Sequence, residues 1–473
     1  MGSLESTSEA RSIQRATLFI SMLVSFVFPF SASSLSIAVP FIGEELRIPA
    51  ASLPWIISAM LLVNLSLNVP FGRFADLWGR RKLFTLGIGI FAVATFTAAF
   101  ATSFWMLVVI RVFQGVGGAM FVSTNMAILV DVYPREQRGR ALGLSLMCTY
   151  LGLSFGPVTG GLLVHYFSWN AVFFFTSSVA LIVFIVSLVI LMRMTKDSDV
   201  TRRQVVINPV SIVIYIVAML VFMLGFITLG QGAFPLYCLA LGSLLWFLFA
   251  RHAMRAQNPV IKVGLFKNNR IFVVSNLAVM FNFAATAALA YILTIYLVFV
   301  RGFAPNIAGL ALIAQPVMVS LISPLFGRIS DKRSPFFLSS LGMAICAFSL
   351  LLFLFLDENT PLIIIIANLV LTGLGIGIFT TPNTNAVMSS IAPKDLAMAN
   401  SINSTMRLIG QLSSMAIVTI ITHFVIGDAL ISEAPMPDIM KTIHLVIVVL
   451  AVICVLGALL SLGRNKKPAK PAE

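Results

Sequence analysis

The chain has 473 residues, of which 59% are hydrophobic and only 10% are charged. Soluble domains carry about 25% charged residues, so this composition excludes a soluble globular protein. The apolar runs do not alternate with polar residues over about ten positions, as the strands of membrane barrels do. Because only helices and closed barrels satisfy the backbone inside a bilayer, the sequence predicts an all-α membrane protein.

The hydrophobic runs predict fourteen membrane-spanning helices, which are numbered here as spans in chain order. They lie at residues 17–40, 53–72, 83–102, 104–130, 141–165, 169–192, 209–230, 233–250, 271–299, 307–327, 336–356, 361–389, 397–424 and 442–463. All four cysteines fall inside spans without the spacing of a metal site or a disulfide framework. We therefore expect no metal and no cofactor.

The positions of the basic residues predict the orientation, because Lys and Arg collect in cytoplasmic loops. With fourteen spans, both termini and every second loop share one side, and this side holds most of the 31 basic residues. Only Arg47, Arg301 and Lys441 fall on the other side, while Arg111 and Arg407 lie within spans. We therefore expect a multi-pass protein of the cell membrane with both termini cytoplasmic. Contact with anionic lipid explains the net charge of +14, so no nucleic acid partner is expected.

Two similar segments at equivalent positions indicate an internal repeat. Residues 72–76 read Gly-Arg-Phe-Ala-Asp after span 2, and residues 327–331 read Gly-Arg-Ile-Ser-Asp after span 10. Spans 1–6 and 9–14 are therefore predicted to form two related six-helix bundles, a common design of secondary transporters. The predicted segments are a cytoplasmic tail at 1–16, the N-terminal bundle at 17–192, a linker at 193–208, two extra membrane helices at 209–250, a second linker at 251–270, the C-terminal bundle at 271–463 and a basic tail at 464–473.

The loop after span 2 carries charges that suit a cytoplasmic gate. Asp76 can pair with Arg80 or Arg81, or cap the start of the next helix. The second copy of the loop lacks the trailing Gly-Arg-Arg, so its latch should be weaker. The alternative is a tight basic turn without a gating role. The predicted gating residues are Gly72, Asp76, Arg80, Arg81, Gly327 and Asp331.

Span 5 contains a stripe of small residues at every fourth position. The stripe consists of Gly152, Gly156 and Gly160, and it is interrupted by Pro157, which removes one backbone hydrogen bond. Helices pack closely in membranes where side chains are small. Together with Gly161, these residues predict a bendable, tightly packed helix between the two bundles.

These motifs resemble those of the major facilitator superfamily. Residues 72–82 resemble its loop signature, while residues 111–119 and 152–161 are similar to motifs of its fourteen-helix drug:proton antiporter branch. The two extra helices between the bundles fit the same branch. The resemblance implies multidrug efflux by alternating access with proton antiport, and it implies that the span-5 helix controls leak and direction.

Polar residues on one face of several spans predict a wet central cavity. A charge at the centre of a span costs at least about 2.5 kcal/mol, so Arg111 and Arg407 should face a cavity or a partner. The alternative for each Asn is a hydrogen bond between helices. The cavity candidates are Ser31, Ser36, Asn64, Asn68, Arg111, Gln114, Asn125, Gln315, Asn383, Asn385, Asn400, Asn403, Arg407 and Gln411.

Span 1 departs from the antiporter pattern. Where the family usually has Asp and Asn, this chain has Ser31 and Ser36. No other carboxylate falls in mid-membrane, so proton coupling should run through Asp131 or Asp76, or be absent. A cavity with two arginines and no acid should favour neutral, zwitterionic or anionic amphiphiles over lipophilic cations.

Three histidines, at positions 165, 423 and 444, fall near the outer ends of helices. Interfacial hydrogen bonding is the ordinary role for such residues, and titration during the cycle is the alternative.

The sequence thus predicts a monomeric exporter of amphipathic small molecules, with protons as the coupling ion that the resemblance implies. The alternative is a transporter of the same fold for neutral, zwitterionic or anionic metabolites or lipids, without proton coupling through a buried carboxylate. An enzyme is not expected, because no His, Asp, Cys or metal ligands cluster at one depth.

Overall fold

A computed structural model describes residues 2–133, 135–191, 208–230, 232–255, 263–267, 269–330, 334–391 and 396–462. This part of the chain is helical and contains no strand. The N-terminal helices are α1 (Gly2–Glu45), α2 (Pro54–Trp78), α3 (Arg80–Ala98), α4 (Phe104–Val132), α5 (Arg135–Tyr166), α6 (Trp169–Leu191), α7 (Pro209–Ile227) and α8 (Phe234–Arg255). The C-terminal helices are α9 (Arg270–Thr286), α10 (Leu289–Ile295), α11 (Pro305–Leu312), α12 (Ala314–Ser330), α13 (Pro335–Leu352), α14 (Leu362–Ser389), α15 (Leu396–Val425) and α16 (Met436–Leu462).

Within the described residues, 14 segments are long and apolar enough to cross a bilayer, which confirms the predicted number of spans. Spans 9 and 10 differ from the prediction, because each consists of two helices. In span 9 the break falls between α9 and α10, where the Ala288 N–H donates to the Ser414 hydroxyl of α15 at 2.9 Å. In span 10, Pro316 has no N–H to offer the Leu312 carbonyl, and the chain is interrupted between α11 and α12.

The helices pack as two bundles and a separate pair. Helices α1 to α6 contact one another, as do α9 to α16, while α7 and α8 pack together. Helix α7 also touches α2 and α15, so the extra pair rests on one helix from each bundle. This arrangement confirms the predicted fold of two six-helix bundles with two additional helices.

The same glycine crossing occurs in both bundles. In the N-terminal bundle α3 crosses α4 so closely that a Cβ added to Gly87 would lie 2.8 Å from the Gly117 carbonyl oxygen. In the C-terminal bundle α13 crosses α14, and a Cβ on Gly342 would lie 2.6 Å from the Gly375 carbonyl oxygen. Both crossings join the third and fourth spans of their bundle, so the internal repeat extends beyond the loop motif.

Candidate functional site

The two bundles approach each other most closely where α5 passes α11. A Cβ on Gly161 of α5 would overlap the Pro305 carbonyl of α11, and a Cβ on Gly309 of α11 would overlap the Pro157 carbonyl. The backbones of helices from opposite bundles are therefore in direct contact. Only glycine fits at these two positions without displacement of one helix.

The glycine stripe of α5 faces its own bundle. Added Cβ atoms on Gly152, Gly156 and Gly160 would each collide with α1, and the last would lie 2.7 Å from the Ser34 carbonyl oxygen. The prediction of a stripe between the bundles therefore needs correction. The stripe joins α5 to α1 inside the N-terminal bundle, while Pro157 and Gly161 provide the contact with the other bundle.

Hydrogen bonds also join the bundles at one end, which we call the distal end and define by residues 44–53 and 426–435. Both carboxylate oxygens of Glu44 accept bonds from Ser432, one from the hydroxyl at 2.5 Å and one from the backbone N–H at 3.2 Å. The Ala50 N–H donates to the Ala429 carbonyl at 3.0 Å. Since Glu44 lies in the last turn of α1 and Ser432 follows α15, these bonds close the distal end between the bundles.

Arg407 lies where residues from both bundles meet. Its guanidinium stands over the Phe283 ring at 5.9 Å from the ring centroid, and the Tyr150 side chain of α5 lies near it. Tyr150 also lies near Ser323 of α12, whose buried hydroxyl has no hydrogen-bond partner among the described residues. One turn before Arg407, the amide nitrogen of Asn403 is buried without a hydrogen-bond partner among the described residues.

These five residues form what we call the interbundle site: Tyr150, Phe283, Ser323, Asn403 and Arg407. Tyr150 comes from the N-terminal bundle and the other four come from the C-terminal bundle. The four polar residues lie on α5, α12 and α15, in the part of each span away from the distal end. Tyr150, Phe283 and Ser323 were absent from the predicted set. A tyrosine two residues before the glycine motif of span 5 was the available signal, since the chain has only seven tyrosines.

Arg111 is enclosed by the N-terminal bundle. It has no exposed surface, and its Nε donates to the Ile56 carbonyl of α2 at 2.7 Å. Its Nη1 donates to Gln114 at 2.7 Å, and the Gln114 amide donates to the Thr95 hydroxyl of α3 at 2.8 Å. Its Nη2 is buried without a partner among the described residues. The structure thus places Arg111 inside one bundle rather than on the wall of a wet cavity.

An uncharged counterpart of this network occupies the C-terminal bundle. The Ser349 hydroxyl of α13 lies 2.7 Å from the Asn368 carbonyl oxygen and 2.6 Å from the Thr372 hydroxyl, both on α14. All three side chains are buried. Both networks thus bridge the third and fourth spans of their bundle, but only the N-terminal one contains a charged group.

The remaining predicted cavity residues lie at several places. Asn125 of α4 donates to Ser25 of α1 at 3.0 Å, and Ser25 bonds to Ser145 of α5 at 2.6 Å, which joins three helices of one bundle. Both polar atoms of the Asn64 side chain are buried without a partner among the described residues. Three others, Ser31, Asn68 and Asn383, are buried. The Ser36 hydroxyl donates to a carbonyl within α1, and the Asn385 amide donates to the Ser330 hydroxyl. Of the rest, Gln315 and Gln411 are partly exposed and Asn400 is exposed.

The predicted gating loop forms an ion pair that the sequence motif did not indicate. Arg80 donates to both carboxylate oxygens of Asp131 at 2.8 Å, which ties the start of α3 to the end of α4. Gly79, between α2 and α3, has a φ of 102°, a left-handed conformation that favours glycine. A Cβ added to Gly72 would meet only Ser123, at 4.0 Å, whereas one added to Gly327 would lie 3.0 Å from the Thr381 side chain. Asp331 and the side chain of Asp76 lie outside the described part of the chain.

Among the described side chains, Arg111 is the only charged one that is fully buried. No described Asp or Glu lies in the interior of a span, and the described His, Cys, Asp and Glu residues form no group that could hold a metal ion. The interbundle site therefore contains a guanidinium without a described carboxylate beside it.

The chain matches the family model described as Major Facilitator Superfamily over residues 21–415 and again over residues 275–473. It is 30% identical to the multidrug efflux pump LfrA of Mycolicibacterium smegmatis, covering 82% of this chain and 77% of that protein. It is 25% identical to the riboflavin transporter RibZ of Clostridioides difficile, covering 81% and 82%.

Two solved structures have the same fold. The nucleoside transporter NupG superposes with a TM-score of 0.63 at 13% identity, covering 95% of this chain and 100% of the other. A POT family transporter superposes with a TM-score of 0.67 at 16% identity, covering 95% and 96%. The family model, the relatives and the two-bundle fold agree, and the chain is therefore a transporter of the Major Facilitator Superfamily.

Proposed function

We propose that this transporter exports amphipathic small molecules by alternating access between its two bundles. The observation that carries the proposal is the interbundle site, where Tyr150 of one bundle lies near Arg407 and Ser323 of the other and α5 packs against α12. A substrate bound among these residues touches both bundles, so its binding energy can bias their relative position. The site lies away from the distal end, which is closed by the Glu44 and Ser432 bonds.

The charges of the site support neutral, zwitterionic or anionic substrates. The Arg407 guanidinium attracts negative charge, and no described carboxylate neutralises it. The adjacent Phe283 ring offers an apolar face, so a ligand with an aromatic body and an acidic or polar end suits the site. A lipophilic cation would meet like charge at Arg407 and no compensating acid.

A second candidate is the uptake or release of a neutral planar metabolite without proton coupling through a buried carboxylate. Ser31 replaces the acid that the antiporter pattern would supply, and no described acidic side chain is buried within a span. The name of the relative from Clostridioides difficile makes riboflavin the obvious first compound of this class to test.

The charge pattern of the loops supports an orientation with the distal end outside the cell and both termini cytoplasmic. In this orientation the structure is closed to the outside, and the interbundle site lies nearer to the cytoplasm. We propose that the protein acts as a monomer in the cell membrane.

Counterflow in proteoliposomes tests substrate class and coupling together. The purified protein is reconstituted with a pH-sensitive dye inside, and riboflavin, an anionic aromatic dye and ethidium are compared. We expect the neutral and anionic compounds to exchange faster than ethidium. Equal or faster exchange of ethidium would contradict the proposed charge preference. Accumulation driven by an imposed proton gradient separates an antiporter from the second candidate.

The distal latch predicts a modest change in the conformational equilibrium. Glu44→Gln replaces an anionic acceptor by a neutral amide, so the bonds to Ser432 weaken and the distal end should open about three- to tenfold more often. The measurement is the rate at which a membrane-impermeant maleimide labels a cysteine placed at Ile37, which is buried beside Gly309 of the opposite bundle. Glu45→Gln is the matched control, because Glu45 bonds to Trp169 within the N-terminal bundle at 2.8 Å. Equal labelling of both variants would contradict the latch.

A further inference from the structure

Three side chains, one from α16 and two from the end of span 9, hold one loop of the C-terminal bundle at the distal end. The loop comprises residues 356–361 and connects α13 to α14. Three consecutive backbone carbonyls of the loop each face a side-chain donor. His444 Nε2 of α16 lies 2.9 Å from the Leu356 oxygen, the Tyr296 hydroxyl donates to the Asp357 oxygen at 2.6 Å, and Arg301 donates to the Glu358 oxygen. We call this arrangement the distal clamp.

The second ring nitrogen of His444 also faces a carbonyl. Its Nδ1 lies 2.9 Å from the Met440 oxygen on the same helix. A carbonyl oxygen can only accept a hydrogen bond, so both ring nitrogens must donate at these distances. A neutral imidazole has one N–H, whereas the imidazolium has two. The neutral ring would place a nitrogen lone pair against one of the two oxygens.

We propose that His444 is a proton-binding site whose charged ring ties α16 to the loop at 356–361. The bound proton supplies the second N–H, and its loss removes one of the two bonds and leaves a repulsive contact. The clamp is therefore complete when the distal side is acidic and weakens as the pH rises. The proposal concerns the C-terminal bundle alone and does not depend on which substrate is carried.

Charged groups of both signs lie around this place, with Lys441 three residues before His444 on α16 and Arg301 in the clamp itself. The titratable and charged groups near this end of α16 are Tyr291, Tyr296, Arg301, Asp357, Glu358, His423, Asp428, Glu433, Asp438 and Lys441. Asp357 accepts bonds from the Thr360 hydroxyl at 2.9 Å and the Asn359 N–H at 2.8 Å, and these bonds lower the pKa of its carboxyl. The carboxylate next to Leu356 thus stays ionised over the range in which a histidine titrates.

The other histidines lack this arrangement. His252 is paired with the Asn208 side chain at 3.1 Å, an amide that can donate to a neutral ring. His165 and His423 have ring contacts with the neighbouring Tyr166 and Phe424. Of the histidines described here, His444 alone has two ring nitrogens that each face a carbonyl oxygen.

The first test observes the protonation state directly. The full-length protein with ¹⁵N-labelled histidine is studied by NMR in nanodiscs between about pH 5.5 and about pH 8.5, a range that brackets ordinary histidine titration. The chain has four histidines, so His444→Gln assigns its signal and His423→Gln is the matched control. We expect the His444 ring to show two protonated nitrogens at a pH where the other three rings are neutral. A neutral His444 ring that titrates with the others would overturn the proposal.

The second test measures the loop and uses the unaltered His444. A cysteine replaces the buried Leu356, whose backbone carbonyl faces His444, and its labelling by a membrane-impermeant maleimide is followed against the pH-corrected rate of a free thiol. The four native cysteines are buried. We expect labelling to rise about tenfold between low and high pH, consistent with the loss of one charge-assisted bond. His444→Gln should label at the high rate throughout, and His423→Gln should follow the parent. A pH-independent rate in the parent would contradict the clamp.

Discussion

Arg407→Gln is expected to lower the transport of an anionic aromatic substrate about 10- to 100-fold while reducing that of a neutral one much less. A hydrogen bond to a charged group contributes about 1.5 to 3 kcal/mol, and the site has no other described cation to replace it. Arg407→Lys keeps the charge but loses the planar guanidinium over Phe283. Its transport rate for the anionic substrate should therefore fall between the rates of the parent and of Arg407→Gln. The measurement is the initial rate of counterflow for each substrate.

The control for this experiment is Arg270→Gln. Arg270 is an exposed arginine at the start of α9, in the same bundle but outside the interbundle site. Its substitution should leave both rates near those of the parent. An equal loss for anionic and neutral substrates in Arg407→Gln would indicate that Arg407 serves the fold or the cycle rather than the recognition of charge.

Gly161→Ala should lower the transport rate of every substrate by more than about tenfold. The added methyl group overlaps the Pro305 carbonyl of α11, so α5 and α11 must separate and the bundles cannot close at the distal end. A backbone atom cannot move aside as a flexible side chain does. Gly309→Ala makes the same test from the other bundle, because its methyl group meets the Pro157 carbonyl.

A disulfide between cysteines placed at Glu44 and Ser432 reports closure of the distal end in these variants. We expect its yield to fall in Gly161→Ala along with the transport rate. Gly143→Ala is the matched control on the same helix, since a Cβ there meets no described atom within 4 Å. If both variants behaved alike, the close contact between α5 and α11 would have no role in the cycle.

The membrane architecture was predictable because its physical causes are local. Each span needs about 20 apolar residues, and every one of the fourteen predicted spans has a counterpart in the structure. The breaks in spans 9 and 10 were not predicted, since hydropathy does not record how backbone groups are bonded. Pro316 was a visible signal, but the bond from Ala288 to Ser414 joins residues far apart in the sequence.

The site was harder to predict, because a polar stripe shows the face of a helix but not its partner. Arg111 and Arg407 had the same pattern in sequence, yet one is enclosed by Ile56 and Gln114 and the other faces Tyr150 of the opposite bundle. The partner of Arg80 was likewise hidden, since Asp131 lies 51 residues away. Both outcomes depend on the packing of distant helices, which the spacing of residues along one helix does not contain.

The backbone contact between Gly161 and Pro305 provides a pivot point for the two bundles, and this point lies near one end of the long helix α5. From Gly161 to the other end of α5 there are about 26 residues, or about 39 Å of helix. A tilt of about 10° at the pivot point would then sweep the far end through about 7 Å, enough for a flat ring to enter edge-on. Helices that are packed closely at glycine crossings cannot repack individually, so we expect each bundle to rotate as a rigid body. The width of the opening at the end away from Gly161 should then depend on this single tilt angle.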